Sequence, residues 1–141
     1  TSTTGYKPCW QKSTVHSRRI DMNQVIVAGG RDITDRELIR NHMNQAWLDI
    51  GPFELISGLA RGVDKVSFDL AIGAGIPVHR YPAEWDKYGK SAGYRRNEQM
   101  ADAATHLLAF WDGESAGTGH MIDIAEREGV PVRIVRVDRS S

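Results

Sequence analysis

Val25-Ile26-Val27-Ala28-Gly29-Gly30-Arg31-Asp32-Ile33-Thr34-Asp35-Arg36-Glu37 is the stretch on which the fold turns. Four consecutive apolar residues make a short strand buried on both faces, and Gly29-Gly30 stops it. Thr34 with Glu37 three residues on reads as a capping box. It opens a helix whose apolar stripe is Leu38, Ile39, His42, Met43, Ala46, Trp47 and Ile50, ended by Gly51-Pro52. The same unit then recurs. Phe53 to Ser57 predicts a second strand, Val63 to Ala74 a second helix with Val66, Leu70 and Ala74 on one face, and Ile76 to Tyr81 a third strand. A polar and aromatic loop from Pro82 to Ser91 leads to a third helix over about Gly93 to Ala104. His106 to Trp111 is a fourth strand, Ala116 to about Glu128 a fourth helix, and Val130 to Val137 a fifth strand. Strands separated by single helices need crossover connections. The expected fold is therefore α/β, a Rossmann-like three-layer sandwich around a five-stranded, mainly parallel sheet.

The 141 residues suit one such domain, and 40% hydrophobic with 26% charged residues excludes disorder and coiled coil. No apolar run approaches the roughly 18 residues of a membrane span, so a soluble, cytoplasmic protein without a membrane partner is expected. Cys9 stands alone, which excludes a disulfide scaffold or a thiolate zinc site. His16, His42, His79, His106 and His120 lack metal-ligand spacing, so no metal is expected. Formal net charge is zero. Yet residues 1–21 carry Lys7, Lys12, Arg18 and Arg19 against Asp21, a net of +3 that leaves −3 for residues 22–141. Residues 1–21 read as a basic arm, flexible or appended, with Met22 as a natural start of the domain at 22–141. A domain of that charge does not favour nucleic acid as a partner.

In parallel sheets, ligands sit beyond the carboxyl ends of the strands, so the loops there carry the functional reading. The first strand runs into Gly29-Gly30-Arg31. The second runs into Ser57-Gly58-Leu59-Ala60-Arg61-Gly62-Val63-Asp64, and the fourth into Asp112-Gly113-Glu114-Ser115-Ala116-Gly117-Thr118. Glycines there let backbone N–H groups approach an anion, and three such loops on one rim suggest a phosphate cradle. Ser115 stands where a helix N-cap belongs, and Asp64 where a carboxylate suits the helix dipole. Arg95, Arg96 and Asn97 open the third helix, where basic residues oppose that dipole unless an anion is near. Arg96 has the stronger claim, because Met100 shares its face. The long loop offers Trp85 and Tyr88 to stack on a base and Lys87 or Lys90 to neutralise phosphate. His120, in the first turn of the fourth helix, is expected to be neutral.

These loops also carry a resemblance. Gly29-Gly30-Arg31, Ser57-Gly58-x-Ala60-Arg61-Gly62-x-Asp64, Ala83-Glu84-Trp85, Lys87-Tyr88-Gly89-Lys90-x-Ala92-Gly93-x-x-Arg96-Asn97-x-x-Met100 and Phe110-Trp111-Asp112-Gly113-x-Ser115-x-Gly117-Thr118 resemble the YspA-type, cpYpsA-related branch of the SLOG superfamily. The likeness spans about residues 23–137. It implies a domain that binds or senses a nucleotide or nucleotide-derived ligand and forms a homo-oligomer. No separate cofactor is implied.

Two relatives within the superfamily give the alternatives. Arg96 and Met100 resemble the Arg-x-x-x-Met element of the lonely-guy phosphoribohydrolases, and Gly117-Thr118 resembles their phosphate loop. Their catalytic glutamate is Met121 here, and their Pro-Gly-Gly is Gly113-Glu114-Ser115. A thioether cannot stabilise the oxocarbenium-like state of N-glycoside cleavage. Arg96 with Glu98 or Asp112 are the catalytic candidates if the chain is a nucleotide N-glycosidase, with Glu114 and Asp123 as further carboxylates. Arg96-Asn97-Glu98 resembles the Arg-Asn-Arg element of the DNA-processing protein DprA, which makes single-stranded DNA binding a third reading.

Overall fold

Across residues 22–138, which the computed structural model describes, each apolar run predicted as a strand forms one. The strands are β1 (Asn23–Gly29), β2 (Phe53–Ser57), β3 (Val78–Arg80), β4 (His106–Trp111) and β5 (Val132–Arg136). All pair in parallel, in the order β3-β2-β1-β4-β5. The helices are α1 (Arg36–Ile50), α2 (Val63–Ala74), α3 (Trp85–Tyr88), α4 (Ala92–Ala103) and α5 (Ala116–Arg127). The arm expected at residues 1–21 lies outside the described residues. Among those described, no helix is long and apolar enough to cross a membrane.

Period-two alternation assigns the layers. Val25, Val27, Leu55, Leu108 and Phe110 face Ile39, Met43 and Ala46 of α1 and Val63 and Ala71 of α2. Their neighbours Ile26, Ile56, Leu107 and Ala109 face Met100 and Ala101 of α4 and Met121, Ile124 and Ala125 of α5. Each large side chain so buried contributes roughly 1.5–3 kcal/mol, and the central strands β1 and β4 supply both faces. His42 packs edge-on against Phe110 with ring centroids 5.7 Å apart, and burial lowers its pKa. It is part of the packed stripe.

One local device is used twice. Gly75-Ile76-Pro77 ends α2 and Gly129-Val130-Pro131 ends α5, each glycine at positive φ. The next residue donates back to its helix, Ile76 N–H to Ala71 O and Val130 N–H to Ala125 O, at 2.9 and 2.8 Å. Each proline carbonyl then accepts from the neighbouring strand, Pro77 from Leu55 and Pro131 from Leu107, both at 2.9 Å. This left-handed cap turns the chain straight into an edge strand. It also explains why β3 and β5 begin two residues later than expected: Ile76 and Val130 spend their N–H groups on the helix, and proline has none.

Two other expectations change. The N-cap of α1 is Asp35, whose Oδ1 accepts from Leu38 N–H at 3.1 Å, so Thr34 and Glu37 do not form the predicted box. The segment Pro82 to Ser91 is not irregular throughout. Glu84 O accepts from Lys87 and Tyr88 N–H, each at 3.0 Å, which closes α3, and a 3-10 turn over Gly89–Ser91 joins it to α4.

Gly29 and Gly73 make opposite predictions. A Cβ on Gly29 would lie 2.6 Å from both Phe110 O and Val63 Cγ2, because β1, β4 and α2 meet there. Gly29→Ala should cost about 1–3 kcal/mol of overpacking in urea unfolding. Gly73, inside α2 with nothing within 4 Å of its would-be Cβ, should give about 0.5–1 kcal/mol of stabilisation as Gly73→Ala.

Candidate functional site

Strand order reverses between β1 and β4, and an open cavity of about 450 Å³ lies beyond their carboxyl ends. Gly29 and Gly30 line one side, the start of α5 from Ser115 to Thr118 another, and the α4 face of Gly93, Arg96, Asn97 and Met100 a third. Those four α4 positions fall at i, i+3, i+4 and i+7, a single helical stripe.

The start of α5 is built to stay open. Ser115 is the N-cap, but its side chain makes no capping hydrogen bond; the hydroxyl donates to Asp112 Oδ2 at 3.1 Å instead. Asp112 Oδ1 accepts from Glu114 and Ser115 N–H, both at 2.8 Å. The loop is thus held by its own carboxylate, while Ser115 O accepts from Gly119 N–H and from the Trp111 indole N–H, each at 3.0 Å. Helix geometry leaves the N–H groups of Ala116, Gly117 and Thr118 without intrahelical acceptors, and these residues border the cavity. No side chain obstructs Gly117, whose would-be Cβ meets nothing within 4 Å.

Arg96 reaches across from α4. Its Nη1 donates to Gly58 O, and its Nε to Asn97 Oδ1 at 3.2 Å. A Cβ on Gly58 would lie 2.7 Å from Arg96 Nη1 and 3.0 Å from Asp64 Oδ2, so this glycine makes room for a guanidinium and a carboxylate. Asp64 is buried, and its Oδ2 accepts from Ala60 N–H at 3.1 Å. Burial pushes its pKa up to about 6, against the opposing pull of the Ala60 amide, Arg96 and Arg31. Burial likewise lowers the pKa of Arg96, countered by Asp64. A guanidinium keeps its charge at neutral pH regardless.

Asn97 Nδ2 lies 3.1 Å from His120 Nδ1, and Tyr94 covers the imidazole with centroids 4.0 Å apart. The amide donates, so the neutral ring carries its proton on Nε2. Desolvation is the main cause of the lowered His120 pKa, ahead of its charged neighbours.

The cavity brings together Gly29, Gly30, Arg31, Asp64, Trp85, Arg96, Asn97, Ser115, Gly117 and Thr118 of the residues singled out in the sequence. Gly58 and Arg61 border a neighbouring hollow that shares Arg31, Trp85 and Arg96 with the first. Ser57 is buried below the rim, where its Oγ accepts from Leu59 N–H at 3.1 Å. Gly113 packs against the Arg136 guanidinium. Lys87 lies over the Tyr88 ring at 5.2 Å, outside the cavity, and Lys90 lines it instead. Arg95 stacks on Tyr88 at 4.2 Å. Glu98, Glu114 and Asp123 are exposed and border neither hollow. Asp32 and Tyr94 are lining residues to which the loop reading gives no role, while Ala60, Gly93 and Met100 of the quoted motifs also line the cavity.

Because its pKa is higher folded than unfolded, Asp64 contributes most stability below pH 3.8, and the contribution is lost as pH rises through about 6. Asp64→Asn carries no such dependence. Its stability relative to wild type should rise by about 2 kcal/mol between roughly pH 4.5 and 7.5, read from urea unfolding at each pH.

The chain matches the model of the YspA, cpYpsA-related SLOG family over residues 23–88, from β1 to the end of α3. It is 32% identical over 119 residues to the gene 61 protein of Mycobacterium phage D29, an alignment spanning 79% of this chain and 94% of that protein. No solved structure matches it. A family match that holds the first two rim loops, and a relative aligned along nearly its whole length, agree with the five-stranded parallel fold: the chain belongs to the YspA, cpYpsA-related SLOG family.

Proposed function

We propose that this protein binds a phosphorylated nucleoside derivative at the β1–β4 switch point and acts as a binding or sensing module. The observation that carries this reading is the α5 N-terminus, free of a side-chain cap and opening onto the same cavity as Arg31 and Arg96. Free N–H donors, the positive end of a helix and a partly buried guanidinium together suit a phosphate. Trp85 and Tyr94, each 52% exposed beside the cavity, offer faces for a base. The cavity volume is within the usual range for small ligands. A cytoplasmic setting, where such ligands are plentiful, and association of two copies belong to the same proposal.

A nucleotide N-glycosidase is the second reading, and one observation favours it. Met121 occupies the position of the lonely-guy glutamate, but Asp64 lines the cavity with a carboxyl that is easily protonated. Such a group could act as a general acid. Single-stranded DNA binding has less support, because Arg95 and Lys87 both engage Tyr88 and the Trp111 indole N–H donates to Ser115 O at 3.0 Å.

Arg96→Ala should weaken binding of a nucleoside monophosphate by about 1.5–3 kcal/mol in calorimetry, the scale of a hydrogen bond to a charged group. Arg95→Ala should cost about 0.5 kcal/mol or less. Equal losses would reduce the site to general charge. The wild type, incubated with nucleoside monophosphates, should release no free base above a no-protein control. Chromatography that found release, abolished in Asp64→Asn, would establish the glycosidase reading instead.

A further inference from the structure

A second hollow of about 340 Å³ abuts the switch-point cavity, with Arg31, Ala60, Trp85 and Arg96 bordering both. Its remaining walls come from the loops after β2 and β3, including Leu59 and Arg61. Three arginines line it and no carboxylate does. Among the described residues, none of the three has a carboxylate within ion-pairing distance, whereas Lys65, His79 and Arg133 do. Arg31 lies near enough for its charge to oppose that of Arg96, though less strongly than burial and Asp64 act on it. The nearby counter-charge they share is Asp64, which lines the adjoining cavity and is not in direct ion-pair contact with them; guanidiniums gathered with so little compensation are costly to a fold, and a bound anion lowers that cost. Leu59, at φ 62°, also holds a backbone conformation unfavourable for leucine while forming this wall.

The spacing of the two hollows limits what could fill both. The loop after β2 and the start of α5, which follows β4, flank β1 on opposite sides. Two strand spacings put them about 10 Å apart. Neighbouring phosphoryl groups of one diphosphate share a bridging oxygen and do not reach that far. Phosphoryl groups on the 3′ and 5′ sides of one nucleoside are held further apart by the ribose between them, and come nearer to that spacing.

We infer that the ligand carries two phosphoryl groups separated by a nucleoside, one on the α5 N-terminus with Arg96 and the other beside Arg61 and Arg31, with Trp85 between them against a base. The inference rests on the nucleotide reading above and narrows it to nucleoside bisphosphates and dinucleotides.

Calorimetry of the full chain with 5′-AMP, ADP, adenosine 3′,5′-bisphosphate and the 5′-phosphorylated dinucleotide pApA tests it. The bisphosphate, pApA or both should bind at least about tenfold more tightly than 5′-AMP and ADP, equivalent to about 1.4 kcal/mol. Whichever of the two holds the advantage identifies the source of the second phosphoryl group. Arg61→Gln should shrink that advantage to less than about twofold, while Arg95→Gln, outside both hollows, should preserve it. Arg61 is exposed, so the variant should fold, and its melting temperature verifies that. Equal affinity for ADP and the separated bisphosphates, or an advantage untouched in a folded Arg61→Gln, would overturn this inference and leave the nucleotide reading intact. No binding by any of the four would overturn both.

Discussion

The rim is organised around the backbone of Gly30. Its N–H donates to Phe110 O at the end of β4, and its carbonyl accepts from Ile33 N–H and from Val63 N–H at the start of α2, all at 3.3 Å. One residue therefore ties three loops together. Gly62 allows this: at φ 77°, its would-be Cβ would lie 2.3 Å from Gly30 O and 2.5 Å from Arg31 O, so a side chain would push the β2 loop away. The parallel sheet brings the strand ends to one side, but these contacts set the positions of Arg31 and Asp64 relative to α5. Glycine serves here less to admit a ligand than to let the protein close on itself.

The same economy governs the charges. A domain with a deficit of positive charge can still recognise an anion if a few cations are fixed and partly desolvated, because a low-dielectric wall strengthens each interaction. Arg96 meets that condition: its orientation is set by Gly58 O and Asn97, and Asn97 is in turn held against His120. Arg95, one residue away, is exposed and occupied with Tyr88. Helical geometry turns adjacent arginines to different surroundings, and only one of them reaches the cavity.

Periodicity made the sheet legible because buried parallel strands are short and uniformly apolar; β2 and β4 fall where the apolar runs do. The third helix, expected over about Gly93 to Ala104, runs from Ala92 to Ala103, and its cavity stripe of Gly93, Arg96, Asn97 and Met100 could have been read from spacing alone. The remainder depends on which partner a polar group chooses. Asp112, Ser115 and Gly58 read as ligand contacts in the sequence, and the structure shows their partners within the protein: Asp112 binds its own loop, Ser115 gives its hydroxyl to Asp112 while lining the cavity, and Gly58 seats Arg96 at the edge of the second hollow. Lys87 and Lys90 are indistinguishable by composition. The helical turn of α3 leaves Lys87 against Tyr88 and Lys90 at the cavity.

Asp64 gives the cavity its particular electrostatic character. It is close enough to Arg96 and Arg31 to feel both charges, yet pairs with neither, and its hydrogen bond comes from the Ala60 amide. A full ion pair would have satisfied Arg96 and left little for a ligand; an apolar residue would have left the guanidinium without any compensation. A carboxyl poised near pH 6 lies between these limits. When ionised it offsets the empty cavity's positive charge, and when an anion arrives the gain in negative charge favours its protonation. In the binding role proposed above, Arg96 would exchange a weak internal counter-charge for the ligand without passing through an uncompensated state. This arrangement needs a carboxylate that is buried and short of direct contact, which explains why the glycine at position 58 opens just enough room for both groups.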